Sequence, residues 1–175
     1  MSQVSKQVDW CLKKAEREIE ECKKQGKQPK HRGLLKVEPN MEEAKEHIEK
    51  AEYKLKETEY LRKGNFLDSS VGAVFYCMYH CFLAIASKFG YESCNQTCTI
   101  SLIEHLKEQG KIELDDKFIK MFKYAETEEE KDNSLIELRE DYTYSTKVIF
   151  SKEKIDGLMI LCKELIDSTR QIVFK

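Results

Sequence analysis

The chain has 175 residues, a mass of 20.6 kDa and a formal net charge of -2 at pH 7, enough for one domain with a sizeable core and not the balance of a polycation. Hydrophobic residues make up 41% and charged residues 35%, with only seven glycines and two prolines, which argues for helices and against a turn-rich all-β fold. Seven cysteines, an odd number, and an opening MSQVSKQVDW without an apolar signal stretch point to free thiols in a reducing cytoplasm.

Val4, Val8, Cys11, Leu12, Ala15, Ile19 and Cys22 fall at helical spacing, so a first amphipathic helix is predicted, ending near Gly26. The following KKQGKQPKHRGLLKVEPN carries both prolines and reads as a linker in which Leu34, Leu35 and Val37 pin the chain down. Residues 1–40 therefore form an N-terminal helix and basic linker ahead of a helical bundle over 41–175. Asn40 caps a second helix with Met41, Ala44, Ile48, Ala51, Leu55 and Thr58 on one face. Gly64-Asn65 makes a turn, and a third helix from about Leu67 to Phe89 is apolar on nearly every side. Its apolar run, Val71 to Ala86, is shorter than the ~20 residues that cross a bilayer. It reads as the central core helix, with no membrane partner.

Beyond Gly90, YESCNQTC reads as a loop, and Ser101-x-x-Glu104 as a capping box opening a helix that stops at Gly110. Asp115-Asp116 opens another, carrying Phe118, Met121, Phe122 and Ala125. The acidic run ETEEEKDNS reads as a solvated interruption, after which SLIELRE resumes a helix whose pattern fails at Tyr142. A short extended piece, KVIFS, precedes a last helix from Ile155 to Val173. No strand pair or repeat is evident.

Three stretches carry a resemblance: LRKGNFLDSS ending an amphipathic helix, the central AVFYCMYHCFLAIASKFGYES, and an arginine helix running into tyrosines, ELREDYTY. In order and spacing, residues 41 to 173 resemble a HEPN domain (higher eukaryotes and prokaryotes nucleotide-binding), especially the short stand-alone archaeal and bacterial members. The resemblance implies an all-α, antiparallel bundle of four to five helices, here with an extra N-terminal helix. It also implies a homodimer with the active arginine near the interface. Many members are metal-independent ribonucleases, often toxins paired with a small nucleotidyltransferase. In those enzymes a histidine follows the arginine by four to six residues. Arg139 fits the arginine, but five positions on stands Tyr144 and the histidine is absent.

Cleavage of RNA through its 2'-hydroxyl needs a proton acceptor near neutral pH, a donor for the leaving oxygen and a cation for the phosphorane. Arg139 supplies only the cation. Tyrosine, with an ordinary pKa near ~10, is a poor base at pH 7 but can donate a hydrogen bond or stack on a base. Arg139, Tyr142 and Tyr144 thus read as a binding turn, with Arg139 and Tyr144 the candidates for any catalysis. The bland alternative pairs Arg139 with Glu137 or Asp141 and packs the tyrosines over a helix end.

Cys77, His80 and Cys81 share a helix face, and Cys94 and Cys98 follow, five soft ligands that invite zinc. Their spacing matches no zinc finger, and they read as core residues, with no metal and no cofactor. His80 reads as a satisfied core histidine; His31, His47 and His105 have no partner visible in sequence. From Lys13 to Lys36, nine lysines and arginines stand against four glutamates, so Lys30 and Arg32 are further candidates for RNA phosphate, although the interleaved charges also suit a solvated helix. The expected work is RNA or nucleotide binding around Arg139; a ribonuclease toxin with a nucleotidyltransferase partner, or a structural dimeric module, are the alternatives.

Overall fold

The computed structural model describes residues 2–125, 134–146 and 150–175. These residues form seven helices and two short strands in the order α1 (Gln3–Lys24), β1 (Leu34–Lys36), α2 (Met41–Lys63), α3 (Leu67–Lys88), β2 (Tyr91–Ser93), α4 (Gln96–Glu108), α5 (Asp116–Lys120), α6 (Leu135–Tyr144) and α7 (Lys152–Phe174). The all-α expectation holds. Much of the acidic run, residues 126–133, and most of the expected extended piece, residues 147–149, lie outside the described residues.

Helix ends follow local chemistry. Asn40 Oδ1 accepts from the Glu43 amide at 3.0 Å, and Asp115 Oδ1 from the Lys117 amide at 2.9 Å, each satisfying a donor the first turn leaves open. Ser134 and Ser151 cap α6 and α7 in the same way. The expected capping box at Ser101 is corrected: Asn95 takes the Cys98 amide at 3.0 Å, so α4 starts at Gln96 and Ser101 lies inside it. Asparagine at an N-cap ranks with serine, and it comes first in the chain.

The chain divides into two compact units, Met1–Lys45 with Phe82–Glu113, and Glu46–Cys81 with Leu114–Lys175. In the first, α1 packs on α4 and β1. Three pairings run in opposite chain directions, Cys11 with Cys98, Ser5 with His105 and Ser2 with Glu108, so α1 and α4 are antiparallel. Contrary to the strand-free expectation, β1 and β2 pair antiparallel with Leu35 opposite Glu92. Three residues are too few to show an alternating pattern in sequence.

Cys11 and Cys98 form a disulfide with Cα atoms 5.8 Å apart, which corrects the expectation that all seven cysteines are free thiols. They stand 87 residues apart in the chain and meet only because α1 lies on α4. The free-thiol argument for a reducing cytoplasm loses its basis. Gly33 lies against the same stretch of α1: a Cβ there would meet the Cys11 carbonyl oxygen at 2.3 Å, so only glycine lets the linker come this close.

In the second unit, Arg62 pairs with Asp156 at 2.5 Å and Arg170 with Glu52, so α7 runs antiparallel to α2. Cys77 lies beside Cys162 and Cys81 beside Thr169, so α7 lies along α3 in the parallel sense. The core includes Val74, Phe75, Met78, Phe118, Leu135, Ile155 and Leu165. Helix α3 has 22 residues and a mean hydropathy of 1.5 over its most apolar window. By length and composition it could cross a membrane, which corrects the length argument made from sequence. The distinction is burial, since 67% of that window lies inside the protein.

Candidate functional site

Within the second unit, α2, α3 and α6 enclose a cavity of about 580 Å³. Lys54 and Glu57 reach it from α2, Gly72 and Tyr76 from α3, and Arg139, Glu140, Tyr142 and Tyr144 from α6. The three site residues expected on ELREDYTYST are thus brought together. They sit on a helix rather than a turn, because α6 continues through Tyr144 instead of failing at Tyr142. Ser134 opens this helix, and the Ser145 amide bonds the Asp141 carbonyl at its end. Thr143 Oγ1 donates to the Arg139 carbonyl at 2.8 Å, a side-chain bond that leaves the helix intact.

The Arg139 guanidinium carbon lies 4.3 Å from the centre of the Phe75 ring. Phe75 is itself 2% exposed and wedged among Tyr76, Tyr79 and Phe122, so the arginine rests on a rigid aromatic floor. Among the described residues no ion pair joins Arg139 to Glu137 or Asp141, and Glu137 Oε1 instead accepts from the Ala125 amide at 3.4 Å. A guanidinium held over an aromatic ring by a cation–π contact still offers N–H groups in a planar fork, which an ammonium in the same place could not do.

Tyr142 is half-buried and lies on Gly72, where an added Cβ would meet its ring at 3.3 Å. Tyr144 is 82% exposed and Tyr76 45%, so two further phenols border the cavity with open ring surface. Lys54 Nζ pairs with Glu57 Oε2 at 2.6 Å and stands 6.0 Å from the Tyr76 ring centre. Tyr124 donates to Glu140 Oε1 at 2.8 Å, and this carboxylate raises the Tyr124 pKa. Two cations, Arg139 and Lys54, therefore face two carboxylates, Glu57 and Glu140, and the cavity is close to charge-balanced.

Sequence reasoning missed Lys54, Phe75 and Tyr76. A signal existed: Ser69, Gly72, Ala73 and Tyr76 recur at helical spacing on α3, a small-residue seat beside an aromatic. Lys30 and Arg32 are in the other unit, exposed, on a cavity of about 660 Å³ shared with Glu18, Glu21, Cys22 and Glu92.

The five soft ligands separate into different environments. Cys77 is held as a thiol by the adjacent Cys162 and by burial, Cys81 by burial. His80 Nδ1 lies 3.0 Å from His47 Nδ1 on α2, giving both a partner that sequence did not reveal. Burial, then the nearby charge of His47, lowers the His80 pKa to about 4. Cys98 is in the disulfide, and Cys94 stands with His31 and Glu92.

Among curated proteins, none matches the chain. A family model, HEPN domain, matches residues 44–172, which take in the cavity of the second unit and all of α3 and α6. On that match over most of its length, the chain belongs to the HEPN domain family.

Proposed function

We propose that this chain is an RNA- or nucleotide-binding module whose site is the cavity around Arg139, with Tyr142, Tyr144 and Tyr76 receiving a base. Membership of the HEPN family supports nucleotide- or RNA-related work in general terms. The observation that carries the specific reading is the cation–π contact of Arg139 with buried Phe75 beside a cavity bordered by three phenols. A fixed guanidinium offers a bidentate grip on one phosphate, and open tyrosine faces offer stacking surface to any base. The balance of two cations against two carboxylates favours a nucleotide or a short single-stranded segment over a long polyanionic track. Titration of the purified chain with a mononucleotide and with a short single-stranded RNA, beside Arg139→Ala, tests the reading. Equal binding by both proteins would overturn it.

A ribonuclease reading draws on one observation: Tyr144, five residues after Arg139, lines the same cavity. Among the described lining residues none is a histidine, so this reading needs the Tyr144 phenol as proton donor and a base from elsewhere. Incubation with RNA in chelator decides it, because Tyr144→Phe would abolish cleavage but spare stacking. A homodimer is part of the proposal, supported by Tyr53, Tyr60, Phe66 and Ile160, large side chains left more than half exposed in the second unit.

A further inference from the structure

In the first unit, three donor atoms of three chemical kinds converge beside the two-stranded sheet. His31 Nε2 lies 3.1 Å from Glu92 Oε1 and 4.0 Å from Cys94 Sγ, and Cys94 Sγ lies 3.9 Å from Glu92 Oε1. We propose that these three atoms form a binding site for a zinc-type divalent cation, with a fourth, open position on the adjoining cavity.

Geometry supports this first. A tetrahedral zinc with ordinary bonds to nitrogen, oxygen and sulfur spaces N and O by roughly 3.3 Å and sulfur from either by roughly 3.6 Å. The three separations found differ from those edges by a few tenths of an ångström, so the three donor atoms need only small shifts to hold a cation. The fold fixes each donor. Glu92 and Cys94 are two apart on extended chain and face the same side, and the Cys94 amide bonds the Gly33 carbonyl at 3.2 Å, continuing the β1–β2 pairing. The His31 side chain is 5% exposed, and its Nδ1 accepts from the Gly33 amide at 3.3 Å. Gly33 is itself pressed on α1, next to the Cys11–Cys98 bridge.

Charge and donor type point to the same ion class. One thiolate, one carboxylate and one neutral imidazole carry two negative charges, which a divalent cation cancels. The thiolate and imidazole select zinc-like metals over magnesium or calcium. On binding, the Cys94 thiol proton leaves to solvent. The imidazole proton moves from Nε2 to Nδ1, which gives up the Gly33 bond. That bond is longer than the usual range of roughly 2.7 to 3.2 Å and is the weaker partner in the exchange. Cys22, Glu18 and Glu21 line the cavity beyond, so the open position faces polar groups.

The test uses the full-length, metal-free chain under anaerobic conditions without reductant, so that the disulfide stays closed. Cobalt(II) titration is expected to give thiolate-to-cobalt charge-transfer absorption and tetrahedral-type visible bands that saturate at one cobalt per chain and disappear when zinc is added. Cys94→Ser is expected to remove the charge-transfer absorption, and His31→Gln and Glu92→Gln each to weaken binding roughly tenfold or more. Far-ultraviolet circular dichroism reports whether each variant is folded. Absence of charge-transfer absorption from the unsubstituted chain overturns the proposal without reference to any variant. So does absorption that survives Cys94→Ser, or that is lost on Cys22→Ser instead. Nucleotide binding at Arg139 is read separately and does not bear on this outcome.

Discussion

Arg139 rests its guanidinium 4.3 Å above the centre of the Phe75 ring, so the residue proposed to grip a phosphate also joins α6 to the aromatic core of its unit. Arg139→Ala should lose roughly 1 to 3 kcal/mol of nucleotide binding, the range for a charge-assisted bond. It should also lose about 1 kcal/mol of stability, because a half-buried cation–π contact goes with it. Arg139→Lys restores charge but not the planar fork, and should recover only part of each. Calorimetric titration and urea denaturation separate the two effects; intact binding by the alanine variant would remove Arg139 from the site.

Gly72 is the seat of the Tyr142 ring. Alanine there gains about 0.5 to 1 kcal/mol of helix propensity but pushes a half-exposed ring that can give way. Gly72→Ala should therefore leave the melting temperature level or raised while weakening nucleotide binding several-fold through the displaced tyrosine. Unchanged affinity would show that Tyr142 does not meet the ligand.

Reduction of Cys11–Cys98 releases a closed loop that spans 87 positions of sequence separation. Chain-entropy reasoning puts its stabilising effect at about 4.5 kcal/mol. Amide hydrogen exchange along α1 and α4 should accelerate strongly in reductant or in Cys11→Ala/Cys98→Ala, while α7 exchange stays level. Equal protection in oxidised and reduced protein would count against the bridge.

His80 ties stability to pH. Its folded pKa of about 4 lies below the ordinary 6.5, so the unfolded chain binds the proton more readily. The neutral ring's contribution is complete above about pH 6.5 and is lost as pH falls through about pH 4. His80 is only half-buried, which holds the effect to the order of 1 kcal/mol. His80→Gln should flatten the urea midpoint across this window, and an unchanged slope would assign the acid sensitivity elsewhere.

For the proposed homodimer, light scattering should give about twice the 20.6 kDa chain mass. Tyr60→Glu, at a ring 76% exposed, should shift the population toward monomer without unfolding it. A wild-type monomer at tens of micromolar would dismiss the dimer.

Much of the helix plan was legible because its signals are local. Asn40 and Asp115 cap the helices they were expected to cap, and α1 and α4 stop just short of Gly26 and Gly110. Features made by distant residues were not legible. Nothing near Cys11 announces Cys98, and nothing near His31 announces Glu92 and Cys94. At the site, Arg139, Tyr142 and Tyr144 stood together in sequence, whereas Lys54, Phe75 and Tyr76 join them only through packing. The end of α6 was misread because tyrosine and threonine are weak helix formers, and tertiary contacts such as Tyr142 on Gly72 outweigh that preference.

The parallel pairing of α3 with α7 has a consequence for biosynthesis. Cys77 meets Cys162, so the most apolar helix among the described residues is covered by one made about 85 residues later. At ordinary translation rates that interval is roughly 4 to 17 seconds. Throughout it, a segment apolar enough to pass for a membrane span has left the ribosome without its final partner. The nascent chain thus carries its greatest risk of aggregation or of capture by membrane-targeting factors between the synthesis of α3 and that of α7.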